Sequence, residues 1–348
     1  MFKVGRKVVG MDCSPFMIAE LSANHGGCIE RAKKSILAAK HSGASAVKIQ
    51  TYTPDTMTLN VDKPDFKIDH GLWKGYSLYD LYEKAHLPLD WHKNLFEFAK
   101  RHGVMLFSTA FDETAVSFLM DLDVPAFKIS SFELTDHLLL DEVARTKKPL
   151  FLSTGTCSLE EIGDAVELIR SRGVNDLLLF HCISSYPAAI NDMHLNNLSI
   201  LKAEFDSLVG LSDHSLSNVA AVGAIFLGAV AIEKHFKLDG DEDGPDASFS
   251  VLPEQFAELV SACECAKAAV GNTVGFERPQ ADVSNKIFRR SLYFGRNLSA
   301  GHVLTDFDIR RVRPGYGLPC SAINDVVGSK LVTDVEMGDP VSLDVLEK

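Results

Sequence analysis

The alternation of short apolar runs with amphipathic stretches from Phe16 to about Gly271 predicts a (β/α)8 TIM barrel, followed by a small C-terminal β-rich domain. Three observations carry this. Eight β-like runs, each followed by a helical stretch over roughly 250 residues, fit a closed barrel better than an open doubly wound sheet. The first loop holds no GxGxxG, which counts against a dinucleotide-binding sheet. Polar residues also gather at the C-terminal ends of the runs, where a parallel barrel places its chemistry.

In chain order the expected strands are FMIAEL (16–21), SAVKIQ (45–50), VMLFSTA (104–110), PAFKIS (125–130), PLFLST (149–154), LLLFHC (177–182), SLVGL (207–211) and AVAIEKH (229–235). The expected helices are 28–42, 89–102, 113–122, 136–146, 158–172, 196–205, 216–227 and 253–270. Three of them stop at Gly43, Gly103 and Gly173, the residue type that ends a helix at least cost. The second βα connection, Thr51 to about Pro88, is far longer than a usual loop and is expected to form part of a substrate wall. The barrel therefore spans 1–271, a polar linker 272–290, and the small domain 291–348. Within the last, LSAGHVLTDFDI and VEMGDPVSLDVL read as related turns, each with a Gly before a polar residue and an apolar run.

A formal net charge of -12 excludes a general nucleic-acid or anionic-membrane surface. An anion would have to be held by a few cations inside a pocket. The seven cysteines are scattered and odd in number, as expected of free thiols in a reducing cytosol. No run approaches the ~20 apolar residues of a membrane span, and the first residues lack a signal-peptide pattern. A cytoplasmic protein is expected.

The strand tips are unusually polar. Glu20 ends the first, followed by Ser22-Ala23-Asn24-His25; Lys48 and Gln50 share a face of the second. Ser108 and Thr109 follow, then Lys128, Ser130, Ser131 and Glu133, and Ser153-Thr154-Gly155. His181, Ser184, Ser185 and Tyr186 come from the sixth; Ser212, Asp213, His214, Glu233 and His235 from the last two. Two lysines in one mouth need anionic partners, since an unpaired buried ammonium is costly. Either Glu20 or Glu133 pairs with them, or Lys48 and Lys128 hold a phosphate or carboxylate with Ser108, Thr109, Ser131 and Ser153 as neutral donors. His214 and His235, on adjacent strand tips, could hold one metal ion. Asp213 and Glu233 are read as acceptors that orient the histidines. Mixed imidazole and oxygen ligation suits Mn²⁺, Co²⁺, Zn²⁺ or Fe²⁺ more than Ca²⁺. In the acidic loop past the eighth strand, Asp239 to Asp243 read as a solvated turn, and Asp246 as the functional candidate.

Ten motifs occur in order over almost the whole chain: IAELSANHGG, AVKIQTY, FSTAFD, FKISSFE, LSTGT, HCISSYP, GLSDHS, IEKHF, GPDASFS and RVRPGYG. In these the chain resembles the N-acetylneuraminate (sialic acid) synthase family with a C-terminal SAF (antifreeze-like) domain. AELSANH and LWKGYSLYDLYEKAHLPLDWH most resemble the pseudaminic acid branch. The resemblance implies condensation of phosphoenolpyruvate with an N-acetylated amino-sugar and release of phosphate. In the pseudaminic branch the sugar is 2,4-diacetamido-2,4,6-trideoxy-β-L-altropyranose; the alternative is a legionaminic or N-acetylneuraminic acid synthase. It implies that His214 and His235 bind a divalent metal, Mn²⁺ first, with Co²⁺ or Mg²⁺ as alternatives, and that Glu20 assists at the reacting carbon. It assigns phosphoenolpyruvate to Lys48, Thr109, Lys128, Ser131, Ser153, Ser184 and Ser212, and the sugar to Gln50, Glu133, Tyr186, Asp246 and Arg313. It further implies a homodimer in which the small domain caps the partner's barrel. The sequence departs from the family pattern at Gly26-Gly27, at Thr156-Cys157 and at Ser184, where the sialic acid branch often has Asn.

Overall fold

Along each apolar run the side chains alternate between two apolar environments, one inside the barrel and one beneath the helices. The computed structural model describes residues 1–240, 244–271 and 275–347. It divides into two units, Met1–Gly271 and Asn272–Lys348. The first begins with an antiparallel hairpin, β1 (Phe2–Val4) and β2 (Lys7–Val9). The barrel strands follow: β3 (Phe16–Glu20), β4 (Ala46–Thr51), β5 (Leu106–Ala110), β6 (Phe127–Ile129), β7 (Leu150–Ser153), β8 (Leu177–Cys182), β9 (Leu208–Asp213) and β10 (Ala231–His235). All pair in parallel with their sequence neighbours, and β10 pairs with β3 to close the barrel.

The helices are α1 (Ile29–His41), α2 (Pro54–Met57), α3 (Leu78–Ala85), α4 (Leu89–Arg101), α5 (Glu113–Asp121), α6 (His137–Arg145), α7 (Leu159–Ser171), α8 (Asn197–Phe205), α9 (Val219–Phe226) and α10 (Pro253–Val270). Their boundaries lie close to those expected. Local chemistry explains several: Asp112, Asp136 and Ser158 each cap a helix N-terminus, and Ser158 forms a reciprocal capping box with Glu161. The long connection after β4 contains α2 and α3, which its sequence does not announce.

Inside the barrel, Phe16, Ile18, Phe107, Phe151, Leu178 and Phe180 fill the lower half. Phe151 is the hub, with the rings of Phe2, Phe16, Phe107 and Phe180 at 6.2, 6.0, 5.5 and 6.0 Å. The hairpin, unforeseen in the sequence, plugs the lower end with Phe2, Val4 and Val9. Gly210 is required here: a Cβ on it would stand 2.7 Å from the Phe180 ring and 2.8 Å from the Ala231 carbonyl. The outward residues, such as Met17, Val47, Ile49, Leu152, Leu179 and Ile232, pack under the helices in a second, larger core. With phenylalanines filling the floor, only the inward residues near the strand tips are left to face an open mouth.

The second unit contains α11 (Gln280–Ser284), β11 (Ser291–Phe294), β12 (Ile309–Val312), α12 (Ile323–Val326), β13 (Lys330–Leu331) and β14 (Leu346–Glu347). Its core is Leu292, Phe294, Leu304, Ile309, Val326, Leu331, Val335 and Val341. The two similar segments pair with each other: Leu298 and Val335 exchange backbone hydrogen bonds of 2.9 Å in both directions. Gly301 and Gly338, at matching places, both take positive φ (86° and 96°). Part of the expected linker, from Gln280 to Phe288, is helical.

Candidate active site

Period-two alternation sends Glu20, Lys48, Gln50, Thr109, Lys128, Ser153, Ser212, Glu233 and His235 inward above the phenylalanine layer. They line a cleft of about 410 Å³ together with Ser130, Ser131, Tyr186 and His214 from the loops just past the tips. At its base lies a row of alternating charge. Gln50 Nε2 donates to Glu20 Oε1 (3.0 Å), and Lys48 Nζ lies 2.9 Å from Glu20 Oε2 and 3.6 Å from Glu233 Oε1. Lys128 Nζ reaches both oxygens of Glu233, at 3.2 and 3.4 Å. Lys48 also donates to Thr109 Oγ1 (2.9 Å), and Ser212 Oγ donates to Glu233 Oε1 (3.1 Å).

Burial tunes these groups. It would raise Glu233, but Lys128 and Lys48 outweigh it and push the carboxyl down to about 2. Burial would lower Lys48, but Glu20 and Glu233 hold it above the ordinary lysine value. Lys128 is lowered by burial, with only partial relief from Glu233. Glu20 is raised by burial, which Lys48 offsets in part. Glu233 is thus the firmly ionised member, not the histidine orienter that the sequence suggested.

Asp213 is corrected in the same way. The expected strand 207–211 continues to Asp213, whose side chain points away from the mouth. It pairs with Lys234 (2.7 Å) behind the barrel wall and accepts from Ser215 N (2.9 Å). Ser108 also faces outward, against Thr51 Oγ1 (2.6 Å) and the Ile49 carbonyl (3.1 Å). His181 is turned outward to the Met193 carbonyl (2.6 Å). Glu133 does not neutralise either lysine; it accepts from Ser130 Oγ, and burial raises its pKa.

The remaining candidates lie at the margins. Ser184 Oγ is buried without a partner beside Gly155, where a Cβ would stand 2.5 Å from Ser184 Oγ and 2.8 Å from Ser131 Oγ. Gly155 N donates to Ser131 Oγ (3.0 Å). Asp246 does not line the cleft: it accepts from Ser22 Oγ (2.5 Å) and stands 3.8 Å from His235 Nδ1. Arg313 lies in the second unit, exposed, just past β12. Of the acidic turn, residues 241–243 lie outside the described residues. Cys182, Phe111 and Phe132 line the cleft and were missed. Parity would have found Cys182, which shares a face with Leu178 and Phe180. The seven cysteines are all free.

The two imidazoles meet at the mouth, ring centroids 5.5 Å apart. His214 Nδ1 donates to the Ile183 carbonyl (2.8 Å), which leaves its Nε2 as the lone-pair nitrogen. His235 Nδ1 is buried with no hydrogen-bond partner, and burial, with His214 and Lys48 nearby, holds the ring well below its usual pKa. A buried, neutral imidazole nitrogen without a hydrogen-bond partner, on a ring beside a second imidazole, fits a divalent cation. Among the described residues no group of three or more His, Cys, Asp and Glu side chains converges as a cage. The protein's share would be these two nitrogens.

The NeuB family model matches residues 35–275, and the SAF domain model matches 289–347. The chain belongs to the NeuB family. It is 42% identical to the pseudaminic acid synthase of Campylobacter jejuni over 94% of this chain and 95% of that one. It is 38% identical to the pseudaminic acid synthase of Helicobacter pylori, over 96% and 98% of the two chains. Among solved structures, the N-acetylneuraminic acid (sialic acid) synthetase of Leptospira borgpetersenii, in complex with citrate, superposes with a TM-score of 0.73 at 27% identity. That match covers 82% of this chain and 95% of the other.

Proposed function

We propose that this NeuB-family enzyme is a phosphoenolpyruvate-dependent nonulosonic acid synthase that makes pseudaminic acid. It would condense phosphoenolpyruvate with 2,4-diacetamido-2,4,6-trideoxy-β-L-altropyranose in its open-chain form and release phosphate. One observation supports the chemistry above all: paired lysines and small hydroxyls share a single cleft with two imidazoles. Likeness to the two pseudaminic acid synthases supports the choice of sugar.

Lys48 and Lys128, with Thr109, Ser131, Ser153 and Ser212, supply the donors that a phosphate and a carboxylate need. Ser184, packed with Ser131 over Gly155, would extend that cradle. His214 and His235 would hold the divalent metal, Mn²⁺ by preference; when bound it would act as a Lewis acid toward the aldehyde oxygen. The new bond joins C3 of phosphoenolpyruvate to the aldehyde carbon. Water then adds to C2, and the tetrahedral centre collapses with loss of phosphate. Glu20, held by Gln50 and Lys48 and raised in pKa by burial, would accept a proton from that water. Tyr186 and Gln50 face the sugar half, with Glu133 and Asp246 behind. Arg313 would complete that half from the partner subunit of a homodimer, whose small domain caps the barrel. Function in the cytoplasm, where phosphoenolpyruvate is made, belongs to the same reading.

The test is phosphate release from phosphoenolpyruvate and Mn²⁺ with three sugars in parallel: the pseudaminic precursor, the legionaminic precursor and N-acetylmannosamine. Turnover with the first is expected. Turnover with N-acetylmannosamine alone would overturn the choice of sugar, and none with any of them would overturn the synthase reading.

A further inference from the structure

Between α2 and α3 the long connection makes an excursion whose ends meet. Lys67 bridges Ser77, Ile68 N donates to the Tyr76 carbonyl (2.9 Å), and Gly75 N donates to the Ile68 carbonyl (2.9 Å). Its tip reads Gly71-Leu72-Trp73-Lys74-Gly75, with both glycines at positive φ (75° and 99°), a turn that side-chain-bearing residues would strain. Leu72 and Tyr76 face solvent, whereas Trp73 turns inward and is half-buried.

The Trp73 indole N–H donates to the Pro245 carbonyl (2.9 Å), in the connection that follows β10. Its ring packs on Tyr186 (5.6 Å) and Phe249 (6.5 Å). Tyr186 in turn lies 4.3 Å from the His214 ring, and Phe249 lies 4.9 Å from the His235 ring. Trp73 therefore stands behind the wall of the cleft, tied to the loop whose Tyr186 lines it and to the β10 connection, whose Phe249 is buried behind Tyr186. Of the residues assigned to phosphate and carboxylate, all but one come from β4, β5, β6, β7 and β9 or the turn just past β6, away from this contact; Ser184 alone shares the loop of Tyr186.

We infer that Trp73 is a positioning residue for the sugar half of the site, fastening the excursion to the β10 connection and holding Tyr186 and Phe249 as one aromatic wall. Tyr186, the member of that wall that lines the cleft, receives the apolar face of an N-acetylated, partly deoxygenated sugar, with the buried Phe249 packed behind it at 5.0 Å. Methyl and ring C–H groups gain by burial against aromatic faces, while a hydroxyl placed there would lose its water without a partner. This rests on the synthase reading and narrows it to the recognition of one substrate.

The test uses the full-length protein with Mn²⁺. Trp73→Ala is expected to raise KM for the sugar about tenfold, with KM for phosphoenolpyruvate within about twofold of wild type. Trp73→Phe, which keeps a ring but loses the indole bond, should fall between. Trp91, the only other tryptophan, lies against His25 (5.7 Å). In a Trp91→Phe background, Trp73 emission should shift saturably as the sugar is added, a readout that needs no turnover and no alanine variant. Equal rises in both KM values, an unchanged sugar KM, or flat emission at saturating sugar would overturn the inference. If wild type releases no phosphate with any N-acetylated sugar, the synthase reading falls and takes the inference with it. If wild type is active and the Trp73 variants match it, the inference alone falls.

Discussion

Lys234 and Asp213 are both fully buried, 2.7 Å apart, on the outer side of the strands whose inner side carries Glu233, His235, Ser212 and His214. Lys234→Met should expose what that pair does. At an effective dielectric of about 20, charges 2.7 Å apart attract by about 6 kcal/mol, and each ion's desolvation consumes most of this. The intact pair is therefore close to neutral for stability, but either member alone is not. Without Lys234, Asp213 keeps one hydrogen bond, from Ser215 N. Without Asp213, Lys234 keeps the Ser215 carbonyl (2.5 Å) and a weak contact to the Ser217 carbonyl (3.4 Å). Lys234→Met and Asp213→Leu should each destabilise the barrel by about 3–5 kcal/mol, while the two changes together should lie within about 1–2 kcal/mol of wild type. Both tryptophans lie in the barrel unit, so urea unfolding followed by their fluorescence reports that unit alone. Single variants costing under about 1 kcal/mol, or additive costs in the double variant, would refute the reasoning.

Three further outcomes are expected. Gly155→Ala should weaken phosphoenolpyruvate binding at least tenfold, by isothermal titration, because its Cβ would stand 2.5 Å from Ser184 Oγ and 3.1 Å from the Cys182 carbonyl. His214→Ala and His235→Ala should each lose Mn²⁺ in equilibrium dialysis, since neither imidazole has a third protein ligand to fall back on among the described residues. His92, wedged between Thr51 Oγ1 (2.9 Å) and the Pro88 carbonyl (3.1 Å), is pushed down to about 4 by burial. Its unfolded form takes a proton near 6.5 while the native form does not, so stability is full above that pH. It should fall by up to about 3 kcal/mol as pH drops from 6.5 to 4, and His92→Gln should flatten that limb of urea midpoints against pH.

The barrel was legible because its strands are apolar on both faces and its helices stop at glycines, so periodicity and punctuation agreed. Which face each polar residue takes was less legible. Ser108, His181 and Asp213 point outward, and polar residues there are unusual under packed helices. Each is tolerated through a partner distant in sequence or on a neighbouring loop: Thr51, the Met193 carbonyl and Lys234. Counting by two from the buried phenylalanines separates them, since Phe107 and Phe180 place Thr109 and Cys182 inward. The same count joins Glu233 to His235 and sets it opposite the lysines. The opening hairpin was invisible because three-residue strands carry too little pattern, and its burial depends on a floor formed by residues far along the chain.

The alternating row of Glu20, Lys48, Glu233 and Lys128 means that the resting cleft holds no spare positive charge. A polyanion cannot simply fall into it; it must displace carboxylate contacts and repay them with bonds of its own. Small ions such as chloride, which can make only one or two such bonds, have little to offer in that exchange. A molecule carrying phosphate and carboxylate together can contact both lysines and the hydroxyls at once. The resident glutamates thus act as a threshold that ordinary salt does not cross, and the enzyme should keep its affinity for its anionic substrate across ionic strengths that would strip a ligand from an open basic patch.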